Sequence, residues 1–174
     1  MELEDPRIQK FTVTNPIKIS GHIKYTISGE DSDGMFEETR RYKEFFALRN
    51  VLLSRWPGIY IPAIPEKQLV GNKDVKFIEE RRGLLERFLK EVSKFDYLIQ
   101  SKEFKIFSRE KGDIEKILNS LLRQTPMQLL EKYRLNFKIE EEQDANALQR
   151  YKDSITDFSL FLKKVISVME IQKK

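Results

Sequence analysis

Apolar positions recur at every second residue near the N-terminus and at every third or fourth residue thereafter, so the chain predicts strands first and helices second. Phe11 and Val13 alternate with polar neighbours ahead of Asn15-Pro16, which reads as a turn, and Ile23, Tyr25 and Ile27 alternate after it. Gly29 to Gly34 reads as a polar hairpin loop, and Met35 to Tyr42 as a third strand closing on Arg40-Arg41. Connections this short imply an antiparallel meander.

From Lys43 the period lengthens. Phe45, Leu48 and Leu52, widened by Phe46 and Val51, predict a helix to about Trp56, stopped by Pro57-Gly58. Pro62 and Pro65 impose an extended, polyproline-like path on Ile59 to Pro65. After a loop from Glu66 to Asp74, the residues Phe77, Ile78, Leu84, Leu85, Phe88, Leu89 and Val92 mark one broad face of a long helix. A shorter helix is expected over Ser101 to Phe107, with Ser101 as its N-cap. Strands followed by helices define an α+β fold.

Beyond Gly112 every signal is helical. Ile114, Ile117, Leu118, Leu121 and Leu122 form a narrow stripe, which suits packing against neighbouring helices slightly better than lying on a bilayer, because Asp113 and Glu115 interrupt its polar side. Thr125-Pro126 reads as an N-cap and first-turn proline, and Glu140-Glu141-Glu142 as an acidic patch. Leu148, Tyr151, Ile155, Phe158, Leu162, Val165 and Met169 alternate steps of three and four, a heptad seam that predicts coiled-coil or bundle packing. The seam runs to Lys173-Lys174 without a stop signal, so a longer helix is expected. Two regions follow: 1–111, strands then helices, and 112–174, a helical extension.

Composition narrows the chemistry. Charged residues make up 34% of the 174 positions yet the net charge is only +4, too small an excess to point to nucleic acid but compatible with a local basic pocket. The absence of cysteine excludes disulfides, thiolate metal sites and cysteine nucleophiles, and fits a reducing compartment. No signal peptide or spanning segment is legible, so the chain is expected to be soluble or peripheral. His22, the single histidine, has no acidic sequence neighbour and suggests no catalysis.

Three separated blocks resemble the PX (phox homology) domain: Arg41-Tyr42-x-Glu44-Phe45-x-x-Leu48, Pro62-x-x-Pro65-x-Lys67, and Phe77-Ile78-Glu79-Glu80-Arg81-Arg82 leading into Leu85 and Phe88. Gln100-Ser101-x-Glu103-Phe104-x-x-Phe107 resembles the closing helix of that domain, so the likeness spans roughly residues 5 to 110. The helical tail further resembles sorting nexins that join a PX to a BAR domain, although residues 112–174 are too few for a complete BAR domain.

The resemblance implies a three-stranded sheet packed on a helical subdomain with a proline-rich extended loop, followed by an incomplete BAR-like region. It further implies a phosphoinositide headgroup, usually phosphatidylinositol 3-phosphate, as ligand. By position Arg41 would hold the 3-phosphate, Tyr42 would pack its ring on the inositol, Lys67 would meet the 1-phosphate and Arg81 the 4- and 5-hydroxyls. These residue types suit such a headgroup, because a guanidinium fork meets phosphate oxygens with two parallel bonds, whereas lysine supplies a movable point charge. Leu69, Val70, Lys73 and Lys76 are candidate membrane contacts, by shallow insertion and diffuse attraction. Arg40 reads as a supporting surface charge, and Arg82, Arg87 and Lys90 as a solvated helix face. Ala63 departs from the family, which commonly has a second proline there. The expected protein is a non-catalytic module without cofactor, metal or nucleic-acid partner. It would be cytoplasmic and peripheral on the cytosolic face of endosomes, binding an anionic membrane and forming a homo- or heterodimer through its helical region. The alternative is a PX scaffold used mainly for binding proteins.

Overall fold

The computed structural model describes residues 10–67, 74–137 and 145–171. Its sheet contains β1 (Thr12–Ile19), β2 (His22–Asp31) and β3 (Gly34–Arg41), antiparallel and in sequence order. Two of the expected turns are placed differently. The chain reverses at Ser20-Gly21, with φ of 50° and 80°, a pair of left-handed conformations that matches a two-residue hairpin to the twist of the strands. Asn15-Pro16 is instead a bulge within β1: Thr14 pairs with Thr26 and Ile17 with Lys24, so three steps on one strand face two on the other. Proline is tolerated there because β1 is an edge strand.

The loop expected over Gly29 to Gly34 shrinks to Ser32-Asp33, because Gly29, Glu30 and Asp31 pair with Phe36, Met35 and Gly34. Gly29 is a strand residue for a steric reason: a Cβ there would lie 2.8 Å from ring atoms of both Phe11 and Phe36. The rings of Phe11, Phe36 and Phe104 meet at centroid distances of 5.9 to 6.2 Å beneath it, mostly edge to face.

Helix α1 (Tyr42–Arg55) follows β3 without a linker, and the Arg41 backbone N–H donates to the Glu44 carboxylate at 2.7 Å, half of a capping box. Phe45, Leu48 and Leu52 are fully buried, with the Phe45 ring edge-on to Phe107 at 4.9 Å. Helix α2 (Val75–Ser93) buries Leu85, Phe88, Leu89 and Val92 and packs on β1, while Leu84 faces outward. A four-residue turn, α3 (Asp96–Ile99), is too short to show a period in sequence. Helix α4 (Lys102–Arg109) begins where expected, with Ser101 Oγ accepting from the Phe104 N–H at 3.2 Å.

Helix α5 (Ile114–Asn119) buries Ile114 and Leu118 against α1 and α4, which is the packing role expected of its stripe; the helix stops short of Leu121 and Leu122, and Leu122 is exposed. Thr125 and Gln128 exchange side-chain and backbone bonds at the start of α6 (Pro126–Asn136). Residues 1–132 and 133–174 are separate compact units. The second contains α7 (Ala145–Ile171), on which Tyr151, Ile155, Phe158, Leu162 and Val165 of the heptad seam are exposed. The side chains of Leu148 and Met169, and the patch at Glu140 to Glu142, lie outside the described residues.

A largely buried lysine in the first unit has a measurable consequence. Lys132 Nζ lies 3.5 Å from the centre of the Trp56 ring and donates to the Arg55 carbonyl at 2.9 Å and Gln124 Oε1 at 3.2 Å. Burial lowers its pKa from 10.5 to about 8; Glu103, 3.8 Å away, opposes the shift and Arg55 adds to it. The unfolded chain therefore holds this proton more tightly than the folded one. The stability contributed by Lys132 rises with pH between about 8 and 10.5 and is lost as pH falls through 8. In denaturant titrations across that range, the difference between wild type and Lys132→Met is expected to move in favour of the wild type; a flat difference would contradict the burial argument.

Candidate functional site

Where β3 runs into α1, an open cavity of about 210 Å³ is lined by Arg41, Tyr42, Lys67 and Arg81, together with Lys18, Lys43, His22 and Tyr25. All four residues expected at a site thus border one space, although they come from β3, α1, the proline segment and α2. Among the described residues no carboxylate lines it. The proline segment is held in place by two bonds to α1: the Tyr42 hydroxyl donates to the Pro65 carbonyl at 2.6 Å, and Arg49 Nε to the Pro62 carbonyl at 2.8 Å. That anchoring brings Lys67, exposed and two residues past Pro65, to the rim.

Arg81 is the most unusual side chain of the cavity. Only 8% exposed, its guanidinium lies between two rings, 4.3 Å from the centroid of Tyr42 and 4.3 Å from that of Phe77. Its Nε and Nη2 are buried without a hydrogen-bond partner. Burial depresses its pKa, with Tyr25 and Tyr42 opposing, but a guanidinium starts so high that it stays charged. Burial likewise raises the Tyr42 and Tyr25 hydroxyls, so both remain neutral donors. A buried cation with unfilled donors is costly unless an anion or hydroxyl completes it.

The adjacent arginines have opposite environments. Arg41 is half-buried on the cavity wall. Arg40, read from sequence as a supporting surface charge, is instead 3% exposed: Nε, Nη1 and Nη2 donate to the carbonyls of Phe107 (2.5 Å), Thr39 (2.9 Å) and Glu110 (2.7 Å). Strand alternation sends neighbouring side chains to opposite faces, so Arg40, paired with Tyr25, points into the core. Arg82 also departs from its reading as a solvated charge, donating to the Val13 carbonyl at 2.7 Å and so tying α2 to β1. Lys76 is exposed near the start of α2; Leu69, Val70 and Lys73 lie outside the described residues.

Lys18, Lys43 and His22 were not singled out for the site by sequence. Lys18 reaches it because the bulge in β1 sets its alternation, and Lys43, next to Tyr42, also pairs with Glu115 on α5. Among the described residues no group of histidine and acidic side chains could hold a metal ion, and no helix is long and apolar enough to cross a membrane.

Residues 29–111 match the sequence pattern of the PX domain. The chain is 46% identical over 68 residues to vacuolar protein sorting-associated protein vps5 of Schizosaccharomyces pombe, covering 39% of this chain and 12% of that protein. It is 37% identical over 106 residues to sorting nexin-4 of Bos taurus, covering 54% and 24% respectively. It therefore spans a quarter or less of the length of these relatives. The fold is similar to the X-ray structure of a designed CISK-PX domain, with a TM-score of 0.52 at 22% identity over 58% of this chain and 99% of that one. The three-stranded sheet, the helices behind it and the sequence match agree: residues 29–111 form a PX domain, and sorting nexins are among the proteins to which the chain is similar.

Proposed function

We propose that this chain is a non-catalytic phosphoinositide-binding module that recruits a sorting nexin, of the PX-BAR type, to the cytosolic face of endosomes, with phosphatidylinositol 3-phosphate as its ligand. The observation that carries the reading is the buried, unfilled guanidinium of Arg81 in a cavity shared with Arg41 and Lys67 and, among the described residues, free of carboxylates. An inositol ring bearing two phosphates matches that set. Arg41 takes the 3-phosphate through its fork, Lys67 meets the 1-phosphate at the rim, and Arg81 donates to ring hydroxyls. Tyr42, which lines the cavity beside Arg81, would pack its ring on the inositol, and its bond to the Pro65 carbonyl fixes the segment carrying Lys67.

Sedimentation with vesicles containing phosphatidylinositol 3-phosphate or unphosphorylated phosphatidylinositol tests this directly. The wild type should bind only the former, and Arg41→Ala should lose at least about tenfold in affinity, as expected for removal of a charge-assisted bidentate contact. Equal binding to both lipids, or full binding by the variant, would sink the assignment.

The second unit supports assembly. Exposed Ile155, Phe158, Leu162 and Val165 on one heptad seam of α7 fit a homo- or heterodimer through helix pairing. Dimerisation would make the second lipid contact intramolecular, so that modest affinities multiply. Light scattering should give twice the monomer mass, reverting to the monomer in Phe158→Glu; a monomeric wild type would leave only a heteromeric partner.

A further inference from the structure

The proline segment has a second side. Its Pro62 and Pro65 carbonyls accept from Arg49 and Tyr42, which turns that face of the segment to α1. Ala63 and Ile64 lie between the two anchored carbonyls, and neither backbone N–H has a backbone partner among the described residues. Between this segment and the outward side of α2 runs an open groove of about 350 Å³, larger than the headgroup cavity. Tyr60 stands on the segment wall and Leu84 on the helix wall, both exposed, and the buried Pro62 and Phe88 complete the apolar lining. Leu84, Arg87, Phe88 and Glu91 follow steps of three and four, so they share one side of α2.

Charge selects what fits. Along α2, Arg82 pairs with Glu79 and Glu86, Lys90 with Glu86, and Lys94, just past its end, with Glu91. Arg87 makes no ion pair among the described residues, so the groove offers one free guanidinium, while the carboxylate on its wall, Glu91, is already neutralised. A carboxylate brought by a ligand can meet that fork with two parallel bonds. A bilayer is a poorer match, because it meets convex surfaces and the deepest apolar side chains here, Pro62 and Phe88, lie in a recess. From Leu84 to Glu91 the helix wall is about 10 Å long at 1.5 Å per residue, room for about three extended residues at roughly 3.3 Å each.

We propose that this groove docks an extended, acidic segment of a partner protein, seating one large apolar side chain between Tyr60 and Leu84 and pairing an adjacent carboxylate with Arg87. The bonds that hold the proline segment on α1 keep the groove formed before the partner arrives, which limits the ordering cost of a short ligand. The groove shares no lining residue with the headgroup cavity, so its ligand does not depend on what that cavity binds.

Selection of a phage-displayed library of random dodecapeptides on the immobilised chain tests this. Sequences with a large apolar residue within two positions of Asp or Glu should be enriched. A synthetic peptide of the enriched sequence should bind the wild type and lose about tenfold or more in affinity on Leu84→Ser and on Arg87→Glu, yet keep its affinity for Arg41→Ala. Both groove side chains are exposed, so neither variant should unfold more easily than the wild type, and both should bind inositol 1,3-bisphosphate as it does. Failure to enrich such sequences, or an enriched peptide indifferent to either groove substitution, overturns the proposal. So does a peptide displaced by inositol 1,3-bisphosphate or lost with Arg41→Ala, which would place it in the headgroup cavity. A fall in molecular mass on Leu84→Ser, or loss of binding to vesicles free of phosphoinositide, would give the groove to a second copy or to the bilayer and overturn it equally.

Discussion

Arg40→Ala is expected to lower the free energy of unfolding by about 3–5 kcal/mol in denaturant titrations, whereas Arg41→Ala, one residue on, should leave unfolding close to that of the wild type. The first side chain is nearly inaccessible and its three nitrogens satisfy the carbonyls of Phe107, Thr39 and Glu110. Truncation would strand buried acceptors at the end of α4 and remove the link between the sheet and the helices; each such loss costs about 1–3 kcal/mol. Burial already depresses the Arg40 pKa, so the guanidinium is retained there for its donors and shape. Arg40→Lys should recover little, since one ammonium cannot span the same acceptors. Loss of lipid binding in Arg40→Ala would therefore accompany loss of folded protein, whereas Arg41→Ala separates binding from folding.

Arg81→Ala should reduce affinity for soluble phosphatidylinositol 3-phosphate at least about thirtyfold, the effect expected when one partner of a desolvated, charge-assisted contact is removed. Because Nε and Nη2 have no protein partner, the substitution strands no acceptor and relieves a buried cation. The variant should thus unfold no more easily than the wild type once its lost packing between Tyr42 and Phe77 is allowed for. Arg81→Lys should bind poorly as well: a point charge cannot fill a planar slot between two rings while donating along its edge. Isothermal titration on Arg81→Ala, Arg81→Lys and wild type distinguishes this from simple charge attraction, under which the lysine variant would regain the affinity that alanine loses.

Much of the fold was legible because α1, α2 and α4 carry long or well-capped apolar patterns, with Ser101 marking one start and Pro57-Gly58 one stop. What eluded the sequence was register. Asn15-Pro16 carries turn residues yet sits inside a strand, and only pairing with β2 reveals the bulge that directs Lys18 to the cavity. Gly29 looks like loop punctuation, but its missing Cβ makes room for Phe11 and Phe36, which are distant in sequence. Arg40 and Arg41 are alike in composition, and their faces are decided by the pairing of Tyr25 with Arg40 and of Lys24 with Arg41. The site residues Arg41, Tyr42, Lys67 and Arg81 were found through family likeness; spacing alone would not have joined four segments around one cavity. The contact of Arg81 with two rings and the Tyr42–Pro65 bond are tertiary features with no local sequence signal.

The proposed function places a 3-phosphorylated inositol headgroup in the cavity shared by Arg41 and Arg81. Its most direct test is an NMR titration of the uniformly labelled chain with short-chain phosphatidylinositol 3-phosphate, observing the arginine Nε–Hε signals. The Arg41 and Arg81 signals should shift together and saturably, while that of buried Arg40 barely moves. Saturable binding that leaves Arg41 and Arg81 unshifted, or no difference from unphosphorylated phosphatidylinositol, would contradict it.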